Sequence, residues 1–492
     1  MKTAVIIGGG LAGLSAAVTL SNAGFGVKLF EKNPHLGGKL MPISLGSHSF
    51  DFGPNTITMP HVFNNIIEVT GERAEDYYEM VPLVSHTRNH FRDGTRFDFS
   101  TDQGEMIRQL EHLDPGSAST YQAFLKETER LYNLSERYFF PTTFHSWKDY
   151  LSPSLGKALL SVRPYESLHH FFGRYFSNPQ LLQAFDRFAT YIGSSPYKAP
   201  ATFSMIAYLE LVQGVFYIKG GNVRIADAFA AVARKNGAEL HTNSPVGRIL
   251  IKDQQAVGVE LASGEQVLAD HVILNGDLLS AFPDLVEEPQ RPSFSDKRIA
   301  KFEPSISAFV IAAGLNTRLP ALKHHNVFFS EDYRREFAEL FDERIYSKEP
   351  TVYISNSSYT DRSVSPDGDN LFILVNAPAL TADGQLQIDP EAYKERIYDF
   401  LESYGIEIRS HLVEEQIFTP EFIREKFGAF RGALYGPSSN KPADAFLRPS
   451  NASKDIKELF FVGGSTHPGG GSPMVTLGGQ NVANRIIASS KR

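Results

Sequence analysis

Three glycines, Gly8, Gly10 and Gly13, stand in the order G-x-G-x-x-G within the stretch GGGLAGL. An acid, Glu31, follows eighteen residues after Gly13. Glycines at this spacing let a chain turn tightly, bring backbone amides against a diphosphate and seat a helix closely on a strand. An acid at that distance suits ribose hydroxyls. The chemistry that these residue types can do together is dinucleotide binding. A second stretch, GGSTHPGGGSPMVTLGGQ from Gly463 to Gln480, is as permissive in its backbone and carries His467, a group able to titrate near neutrality. The plainer role for that histidine is a backbone hydrogen bond inside a tight turn.

The elements around the first motif have the required order. The β-branched run TAVII (3–7) reads as a strand, LAGLSAAVTLSNAG as a helix and VKLFEK as a second strand ending at Glu31. Between about 104 and 212 apolar residues recur three and four apart, the helical period, with aromatics at Tyr138, Phe139, Phe140, Phe144, Phe171, Phe172, Tyr175 and Phe176. Strands return after 215, and 304–316, 326–330, 351–356 and 370–376 read as a separate sheet. A last buried strand, ELFFVGG, runs into the second glycine stretch. The pattern predicts an α/β chain with a dinucleotide-binding, Rossmann-like domain from 1–75, 215–300 and 420–492. A mixed α+β substrate domain is expected from 76–103 and 301–419, and a helical insertion at 104–214.

Composition narrows the function. A net charge of −8 without a long basic run argues against nucleic acid. Cysteine is absent, which excludes disulfides, thiolate metal sites and thiol nucleophiles. The opening MKTAVIIGGG is too short an apolar run for a secretory signal, and no stretch reads as a transmembrane helix. These features suit a cytoplasmic enzyme. The 37 phenylalanines and 20 tyrosines build a core or handle a large apolar molecule.

Beyond the first motif, HLGGKL and FDFGPNTITMP have no use in a simple nicotinamide domain. With the glycine motif they resemble the FAD-binding start of the amine-oxidase-like flavoproteins and, within them, the phytoene desaturase family of carotenoid enzymes. FYIKGGNVRIADAFAAVARKNGAEL, NSPVGRI, VILNGDL and LFFVGGSTHPGGGSPMV resemble that family's later motifs, in its order, from residue 4 to about 487. The resemblance implies FAD as cofactor. It places Gly37, Gly38 and Lys39 against the diphosphate, and Gly53, Pro54 and Asn55 on the isoalloxazine side. Val246 would meet the adenine through its backbone. Asn275, Gly463 and Gly464 would stand near the pyrophosphate, and Pro473, Met474 and Val475 would open a helix toward the flavin. Ala12 and Lys32, beside the first motif and Glu31, complete the set.

YIGSSPYKAPATFSM, HHNVFFSEDY, FGAFRGALYG and GGGSPMVTLGGQ resemble the branch that oxidises a terminal methyl of a C30 carotenoid, such as 4,4'-diaponeurosporene or diapolycopene, to an aldehyde. His467 departs from that branch, which has Asn there, and matches the desaturases; the alternative is a dehydrosqualene- or phytoene-type desaturase. An amine oxidase would be expected to show a flavin-linking cysteine or an aromatic cage, and a flavin- or carotenoid-binding isomerase partner would show no net redox chemistry. His467, Glu210 and Arg431 are the candidate catalytic residues; the plainer roles are a turn, a helix surface and an ion pair. Asp51 and Asp277 suit capping or turns. His324 and His325 lack a spaced carboxylate, so no metal site is expected. The resemblance implies a quinone or O2 as electron acceptor. A rod-like substrate would enter from a membrane, and residues 130–180, with Lys148, Arg163 and Arg174 among aromatics, are the expected peripheral contact with its inner face.

Overall fold

The structure is a computed structural model that describes residues 1–143, 153–384, 386 and 388–491. Phe144 and Lys148 lie outside the described residues. The strand Thr3–Ile7 is the centre of a five-stranded parallel sheet. Gly26–Phe30 and then Glu239–His241 lie to one side, His271–Asn275 and then Leu459–Val462 to the other. A parallel sheet is covered on both faces, which is why these strands read as unbroken apolar runs. The helix Leu11–Asn22 is buried from Leu11 to Ser21, so it is apolar nearly all round. It packs against the last helix, Ser472–Ser490. The approach is so close that a Cβ at Gly479 would stand 2.1 Å from the Ala12 carbonyl oxygen.

A second sheet has seven strands in the order Leu412–Phe418, Ser307–Leu315, Asn370–Ala377, Val352–Asn356, His325–Phe328, Ser85–His90 and Arg96–Ser100. Its pairings are antiparallel except where His325–Phe328 runs parallel to Ser85–His90. That parallel pair joins the early strands to the later ones. Ser307–Leu315 is buried along its whole length. Val215–Ile218, expected as a strand, pairs with Met80–Leu83 in a small ladder apart from both sheets.

The helical region holds Gln103–Leu113, Pro115–Tyr138, Pro153–Ser161, Leu168–Phe172 and Pro179–Asp186. Asp102 and Asp114 cap the first two by accepting backbone N–H bonds from Glu105 and Ser117. Its aromatics form a core: Phe124, Phe171, Phe172, Phe176, Phe185 and Phe188 are buried together, with Phe176 and Phe185 stacked 3.9 Å apart. Arg163 and Arg174, the described basic residues expected at its surface, are paired. Arg163 meets Glu127 at 2.6 Å and Glu166 at 3.1 Å, and Arg174 meets Glu166 at 2.6 Å. The region is tied to the last helix and the turn before it. Phe139 and Phe140 offer their carbonyls to His467 Nε2 and Asn481 Nδ2, each at 2.8 Å.

Candidate active site

The sheets and the helical region enclose one cavity of about 700 Å3. One wall is the glycine turn after Thr3–Ile7. Gly8 has φ +98°, and a Cβ on it would stand 2.0 Å from the Asn275 carbonyl oxygen. Asn275 Nδ2 donates to the carbonyls of Gly8 at 2.9 Å and Gly10 at 3.3 Å, so its role in this structure is to brace the turn. Gly13 would bring a Cβ to 2.3 Å from the Gly8 carbonyl. Glu31 closes the second strand and accepts from Gly9 N–H at 2.7 Å and Asn33 N–H at 2.8 Å. Gly37 N–H donates to the Gly9 carbonyl at 2.8 Å, and Gly38 lies against Gly10. The two glycine motifs, distant in the sequence, therefore form one surface.

Charges of both signs line this surface, Lys32, Lys39 and Arg448 with Glu31, Asp277 and Asp284. Asp277 acts on both Lys39 and Arg448. Burial pulls the Lys39 ammonium down to about 8 and the Arg448 guanidinium to about 10; Asp277 opposes both. Lys39 Nζ donates to the Leu434 carbonyl, and Arg448 Nη1 to the Gly464 carbonyl at 2.9 Å. Asp277 caps the helix Leu278–Leu285 through Leu279 N–H and also accepts from Phe430 N–H. Asp51 likewise serves the backbone, accepting from Asn222 and Val223 N–H, and burial raises its carboxyl to about 6. Lys32 lines the cavity but directs Nζ to the Glu425 carbonyl.

The C-terminal glycines form the opposing wall. Gly463, Gly469 and Gly471 have φ of +112°, +128° and +104°. Gly471 faces open space, and Gly470 abuts Tyr435, whose Cδ1 would lie 2.8 Å from a Cβ there. The helix Ser472–Ser490 starts at this point, with Pro473, Met474 and Val475 lining the cavity. Its N-terminus and that of Leu11–Asn22 offer amides and a positive dipole end to a bound anion. Gly53, Pro54, Asn55 and Val246 also line the cavity. The glycine cradle and the two helix starts fit the diphosphate of an FAD.

The three candidate catalytic residues are not brought together. His467 lines the cavity, but its Nε2–H donates to the Phe139 carbonyl, and burial lowers its imidazole to about 4. At neutral pH it is an uncharged ring held in one tautomer. Glu210 is buried in a widened helical turn, Leu209–Gln213, not on the helix surface. Arg431 is outside the cavity lining; its guanidinium lies over Phe430, 5.2 Å from the ring centre, and it forms no ion pair among the described residues. The sequence reading missed Arg187, Tyr191, Tyr435 and Arg448, all cavity-lining; Tyr191 and Tyr435 stand in the quoted stretches YIGSSPYKAPATFSM and FGAFRGALYG without having been singled out, and Arg187 and Arg448 are brought in by tertiary packing from segments without a motif. Among the described residues no three metal-ligating side chains cluster, and no helix is long and apolar enough to cross a membrane.

A parallel sheet with a glycine cradle, opposite a mixed sheet across a shared cavity, is the architecture of a dinucleotide-binding flavoprotein. The model of the flavin containing amine oxidoreductase family matches residues 11–487, and the chain belongs to that family, with FAD as its cofactor. It is 35% identical over 490 residues to a 4,4'-diapolycopene oxygenase of a Methylomonas species, covering 98% of each chain. It is 32% identical over 494 residues to a 4,4'-diaponeurosporene oxygenase of Staphylococcus haemolyticus, covering 99% of this chain and 97% of the other. Putrescine oxidase bound to putrescine shares the fold with a TM-score of 0.65 at 14% identity, covering 99% of both chains. An oxidoreductase from Methanosarcina mazei does so at 0.62 and 18%, covering 98% of this chain and all of the other.

Two outcomes test this site. Gly470→Val forces a side chain into Tyr435, and Val475→Asp sets a carboxylate beside the cradle; each should lose most of its flavin, read as the ratio of flavin to protein absorbance. Full flavin content in both would refute the placement. The second concerns acid. An imidazole at about 4 when folded and 6.5 when unfolded binds fewer protons in the folded chain between those values. Stability is therefore lost as pH falls from 6.5 toward 4, by up to about 3 kcal/mol from this group. His467→Gln cannot titrate, so its acid-unfolding midpoint should move to lower pH; an unmoved midpoint counts against the assignment.

Proposed function

We propose that the protein oxidises a terminal methyl group of a C30 carotenoid, of the 4,4'-diaponeurosporene or diapolycopene type, to an aldehyde. The observation that carries this reading is the continuity of the cavity. The surface that cradles the dinucleotide opens directly into a gallery lined by Phe139, Phe140, Phe203, Ile206, Leu209 and Phe372. Such a lining suits a long apolar polyene far better than a small cation. The names of the full-length relatives agree with it. When bound, FAD supplies an acceptor for a hydride from a carbon that conjugation makes a good donor. The apolar walls hold the rod in place and exclude water. Gly469 to Gly471 let backbone approach where side chains would stand between cofactor and polyene. His467 holds the cavity wall to the helical region and carries no exchangeable charge at neutral pH. Oxidation of a methyl to an aldehyde removes four electrons in two stages and brings in one oxygen atom, from water or O2, so an alcohol-ended chain must also be accommodated. A quinone or O2 is the proposed final acceptor.

Peripheral membrane attachment at the inner face is part of the proposal. Leu160 and Tyr165, in and beside the helix Pro153–Ser161, are 74% and 85% exposed, unusual for such residues.

Pigment analysis tests the reaction. Bacteria that make 4,4'-diaponeurosporene should form an aldehyde-ended product when they express this chain. Cells that make only diapophytoene should show no new double bonds; their appearance there would replace the oxidase by a desaturase. Attachment is tested by flotation with anionic vesicles. Leu160→Ser with Tyr165→Ser should release protein from the floating fraction, and wild-type protein that never floats would remove the membrane proposal.

A further inference from the structure

A group of polar side chains without protein partners lies at one place among the apolar residues that line the cavity. Arg187 and Tyr191 reach the cavity from the turn Arg187–Ile192, and Tyr333 reaches it from the start of the helix Tyr333–Ala338. Arg187 is only 6% exposed, yet its Nε and Nη2 have no hydrogen-bond partner among the described residues. Its guanidinium lies over the Tyr191 ring, 5.4 Å from the centre, and Tyr191 acts on it without closing to bonding geometry at Nε or Nη2, so those two groups are left for something else. The Tyr333 hydroxyl is also without a protein partner. Behind them Glu210 is fully buried with neither carboxylate oxygen hydrogen-bonded; Tyr191 acts on it without closing to bonding geometry.

Buried polar groups are hydrogen-bonded in folded proteins, and a buried guanidinium without acceptors is among the costliest exceptions. Here the unmet donors face a cavity, so the partner they call for is a ligand atom with lone pairs. Glu210 refines the choice. Arg187 already has Glu210 set against it, a carboxyl that burial pushes up and Arg187 pulls down, so a neutral oxygen suits the place better than a second carboxyl. A hydrocarbon end would leave every one of these donors unmet.

We propose that Arg187, assisted by the Tyr333 hydroxyl, binds a neutral oxygen atom on the end of the polyene and so selects chain ends that are already hydroxylated or aldehydic. The proposal rests on the carotenoid reading above. It makes Arg187 a specificity-determining residue: it holds the alcohol-ended chain for its second oxidation and leaves the first to the apolar walls.

The test uses purified, flavin-loaded protein titrated with three C30 polyenes, ended in methyl, hydroxymethyl and aldehyde groups, with binding read from the polyene absorption. The wild-type protein should bind the two oxygenated polyenes at least about tenfold more tightly than the hydrocarbon, the scale of a hydrogen bond to a charged group. Arg187→Met should erase that preference and leave hydrocarbon binding within about threefold of wild type. In cells it should accumulate the terminal alcohol at the expense of the aldehyde. Tyr333→Phe, which removes one hydroxyl, should shrink the preference partway, and it decides the matter should Arg187→Met lose its flavin spectrum. Equal binding of all three polyenes by wild-type protein, or an undiminished preference in the variants, overturns this proposal alone. Failure to bind any of the polyenes overturns the carotenoid reading with it.

Discussion

Backbone meeting backbone without side chains between is the constraint on which this structure rests. The turn from Gly8 to Gly13 lies in contact with Asn275 on the next strand, and the Gly37–Gly38 pair lies in contact with that turn. The last helix touches the first at Gly479 and Ala12. Each approach is set by the reach of a peptide group. A cofactor diphosphate needs amides at that same distance, so the requirement that packs the sheet also shapes the binding surface.

Charge and polarity are then divided by region. The cradle gathers Lys39 and Arg448 around Asp277, and their donors are largely spent on carbonyls that fix the loops. Across the cavity the walls are largely hydrocarbon, and Arg187, Tyr191 and Tyr333 bring polar groups among them with Glu210 buried behind. A neutral His467 fits this division. A charged imidazole at that position would face Arg448, and its link to the Phe139 carbonyl matters more than its acidity.

Much of this was legible in the sequence, for identifiable reasons. The glycine motifs, Glu31 and the flanking strands were readable because local geometry dictates them. The strands between 304 and 376 were readable from their apolar runs. The roles of Asp51 and Asp277 as backbone acceptors followed from their places in turns. What escaped was whatever depended on long-range packing. Nothing local shows that Arg431 turns away from the cavity while Arg187 turns into it. Nothing local shows that Glu210 lies inside rather than on a helix surface, because a widened turn breaks the helical period there. The pairing of Arg163 and Arg174 with Glu127 and Glu166 also required the tertiary fold.

The seam between first and last helices has a consequence for how the chain is made. Ser15 Oγ donates to the Thr476 carbonyl, 461 residues away, close to where Gly479 meets Ala12. The opening strand–helix–strand unit leaves the ribosome first and can meet the helix Arg224–Lys235 midway through synthesis, yet the face of its helix that the last helix covers stays open until nearly the whole polypeptide has been made. The nascent N-terminus therefore keeps one apolar, alanine-rich helix face exposed through most of translation. Assembly of the cofactor fold is a terminal event, and any premature stop codon before the last helix yields a product that cannot close it.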